Sequence, residues 1–285
     1  MRRIPDIRVL SALDDMYRLM AMPFGWVTYL ITTRVLRRPY FGVWLASAQG
    51  NPLRHPLIAE AVVKCAKARR AEGLDGEFRA LEIGAYAGAS TIEFATALRT
   101  AQIAPYLMYS VDPWDAYLDA INNPRIHYRM MNRDLANGNV LRLFVRNIRA
   151  AMVSDVCRQI RGRSEEMLPL LQGQQFDFVY VDGDHAPAAV TRDLNEAQRL
   201  LRPGGYLCGD DLEMQLHELD PEFVTKHADE DVALDPQSGR IFHPGVAIAV
   251  EQFFGRPVSS YQGFWVVRWT GEKYEDVVLS LNGVA

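Results

Sequence analysis

Residues 78–98 read FRALEIGAYAGASTIEFATAL, and the order of residue types in this stretch decides the fold. Phe78 to Gly84 is a short, mostly apolar run, as expected of a buried strand. Gly84 and Gly88 bracket a turn, and Ser90 to Leu98 follows it at once with helical spacing. The stretch therefore reads strand, glycine turn, helix. A dinucleotide-binding turn needs a second glycine two residues after the first, because backbone must approach a pyrophosphate there; that position holds Tyr86. NAD and FAD are disfavoured.

The same alternation continues on both sides. Pro56 to Arg70 carries Ile58, Val62, Cys65 and Ala66 at helical spacing, with Lys64, Lys67, Arg69 and Arg70 in its last turns, and Gly73 and Gly76 end it. Leu107–Asp112, Arg158–Gly162, Phe176–Asp182 and Tyr206–Asp210 read as strands. Pro187–Leu201 reads as a helix with Val190, Leu194, Ala197 and Leu201 on its inner face, stopped by Pro203-Gly204-Gly205. Strands alternating with helices of this length predict parallel βαβ units in an open α/β sheet. Val266–Trp269 and Tyr274–Leu279, separated by Thr270 to Lys273, predict a closing antiparallel hairpin. Residues 212–244 break the rhythm, being long and acid-rich, and read as a lid or acceptor-binding insertion. The expected organisation is a helical, basic extension over 1–73 followed by one domain over 74–285.

Composition narrows the partners. The 285 residues are 49% apolar and 23% charged, with a formal charge of -4, so global attraction to nucleic acid is not expected. The charge is unevenly spread, +8 over residues 1–70 and -12 over the rest. Cys65, Cys157 and Cys208 are far apart and odd in number, so neither a disulfide framework nor a zinc site is indicated, and a cytoplasmic location is the natural reading. Asp6, Asp14 and Asp15 fall where a secretory signal would need apolar residues. Leu19–Ile31 is too short to span a bilayer and contains Pro23 and Gly25. Its Phe24, Trp26 and Tyr29 are expected to pack on the protein's own body or on a second copy in a homo-oligomer. Peripheral membrane contact through residues 19–38, with Arg34, Arg37 and Arg38, is the alternative.

Ligands of open α/β sheets sit beyond the carboxyl ends of the strands. Those ends carry Glu82 and Gly84, Asp112, Asp182, and Asp210 with Asp211. One such Asp alone reads as a cap or a turn residue, but acids at the ends of four strands are not a fold requirement. A helix N-terminus beside a glycine turn suits a small carboxylate, Glu82 can face an ammonium group, and Asp112 can face a ribose. S-Adenosylmethionine carries all three groups.

The motifs LEIGAYAGAST, YSVDPWD, FDFVYVDGDH and LLRPGGYLCGDD, in this order, resemble those of class I S-adenosylmethionine-dependent methyltransferases. They are most similar to the group with a DGDH signature, which includes macrolide-sugar and rhamnosyl O-methyltransferases and cephalosporin hydroxylase-like proteins. The resemblance covers about residues 78–270. It implies a Rossmann-like, mostly parallel seven-stranded sheet. It also implies that Glu82, Gly84 and Gly88 hold the methionine end, with Tyr86 and Ser90 of the same turn among the cofactor contacts. Asp112 would take the ribose hydroxyls, Ser164 would border the adenine, and Asp182 would face both cofactor and acceptor. By similarity to catechol O-methyltransferase, Asp182, Asp210 and Asp211 would bind Mg²⁺, a hard cation that lowers the pKa of a bound hydroxyl. His185, three residues after Asp182, is the candidate general base beside Asp182. Ala186-Pro187-Ala188 stands where many relatives carry an aromatic residue. The expected activity is metal-assisted O-methylation of a small hydroxylated acceptor such as a sugar or phenol. A hydroxylase-like member of the same fold group and a binding protein with a vestigial pocket are the alternatives.

Overall fold

The structure is a computed structural model that describes Met20 and residues 24–46, 52–117 and 126–280. The first long helix, α1 (His55–Ala71), leads into β1 (Phe78–Ile83), α2 (Ala89–Thr100) and β2 (Tyr106–Asp112). After α3 (Ile126–Ala136) and α4 (Asn139–Ala150) come β3 (Cys157–Arg161), α5 (Ser164–Met167), β4 (Phe176–Val181), α6 (Pro187–Leu200) and β5 (Leu201–Leu212). The insertion carries α7 (Pro221–Lys226) and a small hairpin of β6 (Ala233–Leu234) and β7 (Ile241–Phe242). Then α8 (Pro244–Phe254), β8 (Ser260–Tyr261), β9 (Gly263–Trp269) and β10 (Tyr274–Asp276) close the fold.

The main sheet runs β10-β9-β5-β4-β1-β2-β3, with β8 paired to β9 as an eighth short strand. Strands β1 to β5 are parallel, and β9 and β10 are antiparallel to their neighbours, so the predicted open sheet and closing hairpin are both present. β4, FDFVYV, is buried at every position because helices cover both faces of a central parallel strand, which is why it is an unbroken apolar run. One core layer joins α1, α2 and α4 to the sheet through Cys65, Phe94, Phe144, Phe178 and Tyr180. The opposite layer joins α6 and α8 to it through Leu194, Val250, Val179 and Trp265.

The structure adds detail to two regions. Helix α1, counted with the extension by sequence, buries Ile58, Ala61, Val62, Cys65 and Ala66 in the first core layer and is part of the sheet's own packing. Residues 212–244 are a packed unit, anchored by Leu219, Val224, Ala233 and Phe242 in the second layer. Upstream of α1, Tyr29 packs edge-on against Tyr40 at 5.2 Å. Tyr40 is locked to α4 by a backbone bond to Asn147 at 2.9 Å, and Asn147 also donates to the Ala87 carbonyl at 2.9 Å, so this segment braces the glycine turn. Phe24 and Trp26 point outward at 75% and 47% exposure, so of the three aromatics expected to pack on the protein's own body or on a second copy, only Tyr29 packs on the body of this chain; Leu19 and residues 21–23 lie outside the described residues. No helix among the described residues is long and apolar enough to cross a membrane.

Candidate active site

β1 lies between β2 and β4, where the strand order reverses, and the carboxyl ends of β1, β2, β4 and β5 open there into one cavity of about 430 Å³. Its first half is the glycine turn. Gly84 has φ +91°, and a Cβ on it would lie 1.9 Å from the Asp182 carbonyl oxygen, so only glycine lets the ends of β1 and β4 touch. Asp112 accepts the backbone N–H groups of Ala85 at 3.0 Å and Tyr86 at 2.8 Å with one oxygen, and that of Trp114 at 2.6 Å with the other. It therefore shapes the turn as well as ending β2. Burial raises its pKa against the pull of these three donors. Tyr86, Ser90 and Ser164 line the cavity, and Gly88 is the N-cap of α2.

Glu82 is not on the cavity wall. It is fully buried behind Ser90, and its carboxylate accepts the hydroxyls of Ser90, Thr91 and Ser110. Burial outweighs these bonds and pushes its pKa up to about 7. Its link to anything in the cavity runs through the Ser90 hydroxyl.

The second half is an acid-rich corner. Neighbouring residues of a regular strand face opposite ways, but Asp211 has φ +63° and the β5/β9 register shifts between Gly209 and Leu212. The alternation breaks, and the carboxylates of Asp210 and Asp211 meet the same guanidinium, that of Arg54. His185 is held at both ring nitrogens, Nε2 at 2.9 Å from Asp211 and Nδ1 at 2.7 Å from Asp231, and Asp231 in turn accepts the Tyr128 hydroxyl. His243 stacks edge-on to His185 at 4.6 Å and bonds Glu213 at 3.0 Å. Burial lowers the His185 pKa, but Asp211 and Asp231 outweigh it and hold the ring well above its ordinary value. Burial would raise Asp211, yet His243, His185 and Arg54 keep it far below the carboxylate range. Among the described residues the Asp182 side chain receives one bond, from the Tyr180 hydroxyl at 3.3 Å, and burial with Asp210 and Asp211 nearby drives its pKa well up.

The metal set expected from sequence is altered by one member. The side chains whose ligand atoms lie within 4.8 Å of one another are Asp182, His185 and Asp211; His185, Asp231 and His243; and Asp211, Glu213 and His243. Among the described residues Asp210 belongs to none of these groups, and its carboxylate is paired with Arg54. The three-carboxylate set therefore does not fit an ion as it stands. Arg54, Tyr128, Asp231 and His243, all on the cavity wall, carried no signal in sequence: each lies far along the chain from the strand ends and outside any motif.

Residues 81–212 match the family model described as a methyltransferase domain. The solved structure of the O-methyltransferase NovP shares the fold, at 15% identity and a TM-score of 0.53, over 91% of this chain and 99% of that one. TomG from Streptomyces achromogenes, an O-methyltransferase of tomaymycin synthesis solved with S-adenosylmethionine, is 22% identical over 74% of this chain and 90% of its own, with a TM-score of 0.43. CalS11, a TDP-rhamnose 3'-O-methyltransferase of calicheamicin biosynthesis, is 13% identical over 93% and 95%, with a TM-score of 0.44. No curated protein matches the sequence.

Proposed function

We propose that this protein transfers the methyl group of S-adenosylmethionine to the hydroxyl oxygen of a small hydroxylated acceptor, in the cavity that residues 74–285 line together with Arg54, His55 and Ile58. The observation that carries this reading is the meeting of two chemistries in one cavity: the glycine turn with Asp112 on one side and a half-buried Asp182 on the other. The Gly84–Ser90 turn would take the methionine end, Asp112 the ribose, and Ser164 with its neighbours the adenine.

On the acceptor side, Ile58, Met131, Leu135 and Val232 supply apolar wall. Asp211, Glu213 and Asp231 are paired with Arg54, His185 and His243, while burial and the neighbouring acids hold Asp182 and Asp210 toward their neutral forms, so the corner presents little net charge to an acceptor. Transfer requires the acceptor oxygen in line with the sulfonium methyl: the C–O bond forms as the C–S bond breaks, S-adenosylhomocysteine leaves, and the hydroxyl proton goes to a base. Both nitrogens of His185 are engaged, which favours Asp182 as the proton acceptor, with His185 as a fixed cation beside the developing alkoxide. A divalent ion, if bound at Asp182, His185 and Asp211, would supply Lewis-acid polarisation of the acceptor oxygen.

The test is to incubate the protein with S-adenosylmethionine and a panel of sugars, phenols and amines, and to follow S-adenosylhomocysteine and product mass. Methyl ethers are expected. S-Adenosylhomocysteine binding with methylation confined to amines would replace the O-methyltransferase reading, and no binding at all would end it.

A further inference from the structure

We infer that Arg54 is the resident cation of the carboxylate corner, a positioning residue whose guanidinium holds Asp210, Asp211 and Glu213 and takes the place at Asp210 that a divalent ion would need. The inference deepens the methyltransferase reading, on which its relevance to catalysis rests.

Every nitrogen of the guanidinium is committed. Nη1 donates to Asp210 and, at 2.9 Å, to Asp211; Nη2 donates to Glu213 at 2.6 Å; Nε donates to the Gln262 carbonyl at 2.7 Å. The residue is 5% exposed, so these bonds compete little with water. The space is built for it: Gly263, at φ +97°, follows the residue that accepts Nε–H, and a Cβ there would stand 2.5 Å from Nη2. Any other residue at 263 would meet the guanidinium.

A guanidinium differs from a metal ion in three ways that matter here. It never loses its charge, it cannot be exchanged with solvent, and its fork imposes planar geometry on the acids around it. One Asp211 oxygen is held by Arg54 and the other faces His185, so the arginine sets the carboxylate that orients the imidazole. Because Arg54 immediately precedes α1, it also ties that helix to the end of β5. What remains for an ion is Asp182, His185 and Asp211, without Asp210.

The experiment is a Mn²⁺ titration followed by electron paramagnetic resonance on the full chain, for wild type, Asp210→Asn, Arg54→Gln, Arg54→Lys and the Arg54→Gln/Asp210→Asn double variant. Wild type, Asp210→Asn and Arg54→Lys should agree within about threefold. Arg54→Gln should bind Mn²⁺ at least about tenfold more tightly, and the second substitution should cancel that gain. A purely structural arginine would not produce the gain or its cancellation. A tenfold weakening in Asp210→Asn alone, or no gain in folded Arg54→Gln, overturns the inference; if Arg54→Gln does not fold, the comparison of wild type with Asp210→Asn decides. S-Adenosylhomocysteine binding by wild type is measured in parallel, and its failure would sink the methyltransferase reading while leaving the Mn²⁺ result to judge Arg54.

Discussion

The two halves of the cavity are assembled by different means. The glycine-turn half comes mostly from one continuous stretch, Gly84 to Asp112, in which a turn, a helix and a strand place their own residues, with Ser164 added from α5. The acid corner draws Arg54, Tyr128, His185, Asp211, Asp231 and His243 from six separate segments. The first half is held mainly by backbone N–H groups on Asp112, the second by ion pairs between side chains far apart in sequence. Backbone-built sites tolerate little change in shape, whereas side-chain networks lose function in graded steps.

Gly84→Ala should show the difference at its sharpest. A Cβ 1.9 Å from the Asp182 carbonyl cannot be relieved by a rotamer change, so cofactor binding should vanish and stability should fall on the order of 3 kcal/mol. Calorimetric titration with S-adenosylhomocysteine and thermal unfolding check both; near-normal binding would show that the turn is more plastic than its geometry implies.

Asp182→Asn should leave cofactor affinity within a few-fold and lower kcat by about 10²–10⁴, the usual contribution of a positioned base. Unchanged turnover would return the role of base to His185. Asp231→Asn, which weakens the hold on His185 at one nitrogen, should lower turnover by about tenfold with cofactor affinity intact. A loss of cofactor binding instead would mean that the corner and the turn are coupled.

The smallest effect on turnover is expected from Glu82→Gln, because Glu82 lies behind the wall. Its readout is stability. The folded-state pKa is raised from 4.5 to about 7, so the folded protein holds this proton more tightly than the unfolded chain. That stabilisation is complete below about pH 4.5 and is lost as pH rises through about 7. Glutamine carries no charge to bury, so the melting temperature of Glu82→Gln relative to wild type should climb across this window, and a flat difference would show that Glu82 stays ionised and stabilised by its three hydroxyl partners.

Much of the scaffold was legible because its causes are local. Phe78–Ile83 and Phe176–Val181 are apolar runs, Gly84 and Gly88 punctuate a turn, and Pro187 starts a helix; each follows from periodicity or backbone permissiveness within a few residues. Parallel strands then bring their carboxyl ends to one edge, so Asp112, Asp182, Asp210 and Asp211 could be grouped before any coordinates. The role of helix α1 could not be read in this way, since its apolar stripe fits a helical extension as well as a layer of the core. Nor could the outward aim of Phe24 and Trp26, because the pattern of a helix does not say which surface it meets.

By itself, then, the chain's order of residue types determined a parallel α/β scaffold, its glycine turn and the set of acids at its strand ends. Only the tertiary structure decided how those acids are neutralised. A long side chain such as that of Arg54 reaches several ångströms from its backbone, and the αL turn at Asp211 redirects two carboxylates toward it. The insertion adds Asp231, and the approach to α8 adds His243. Coulombic pairing depends on distance in space and on exclusion of water, neither of which leaves a period or a spacing in sequence.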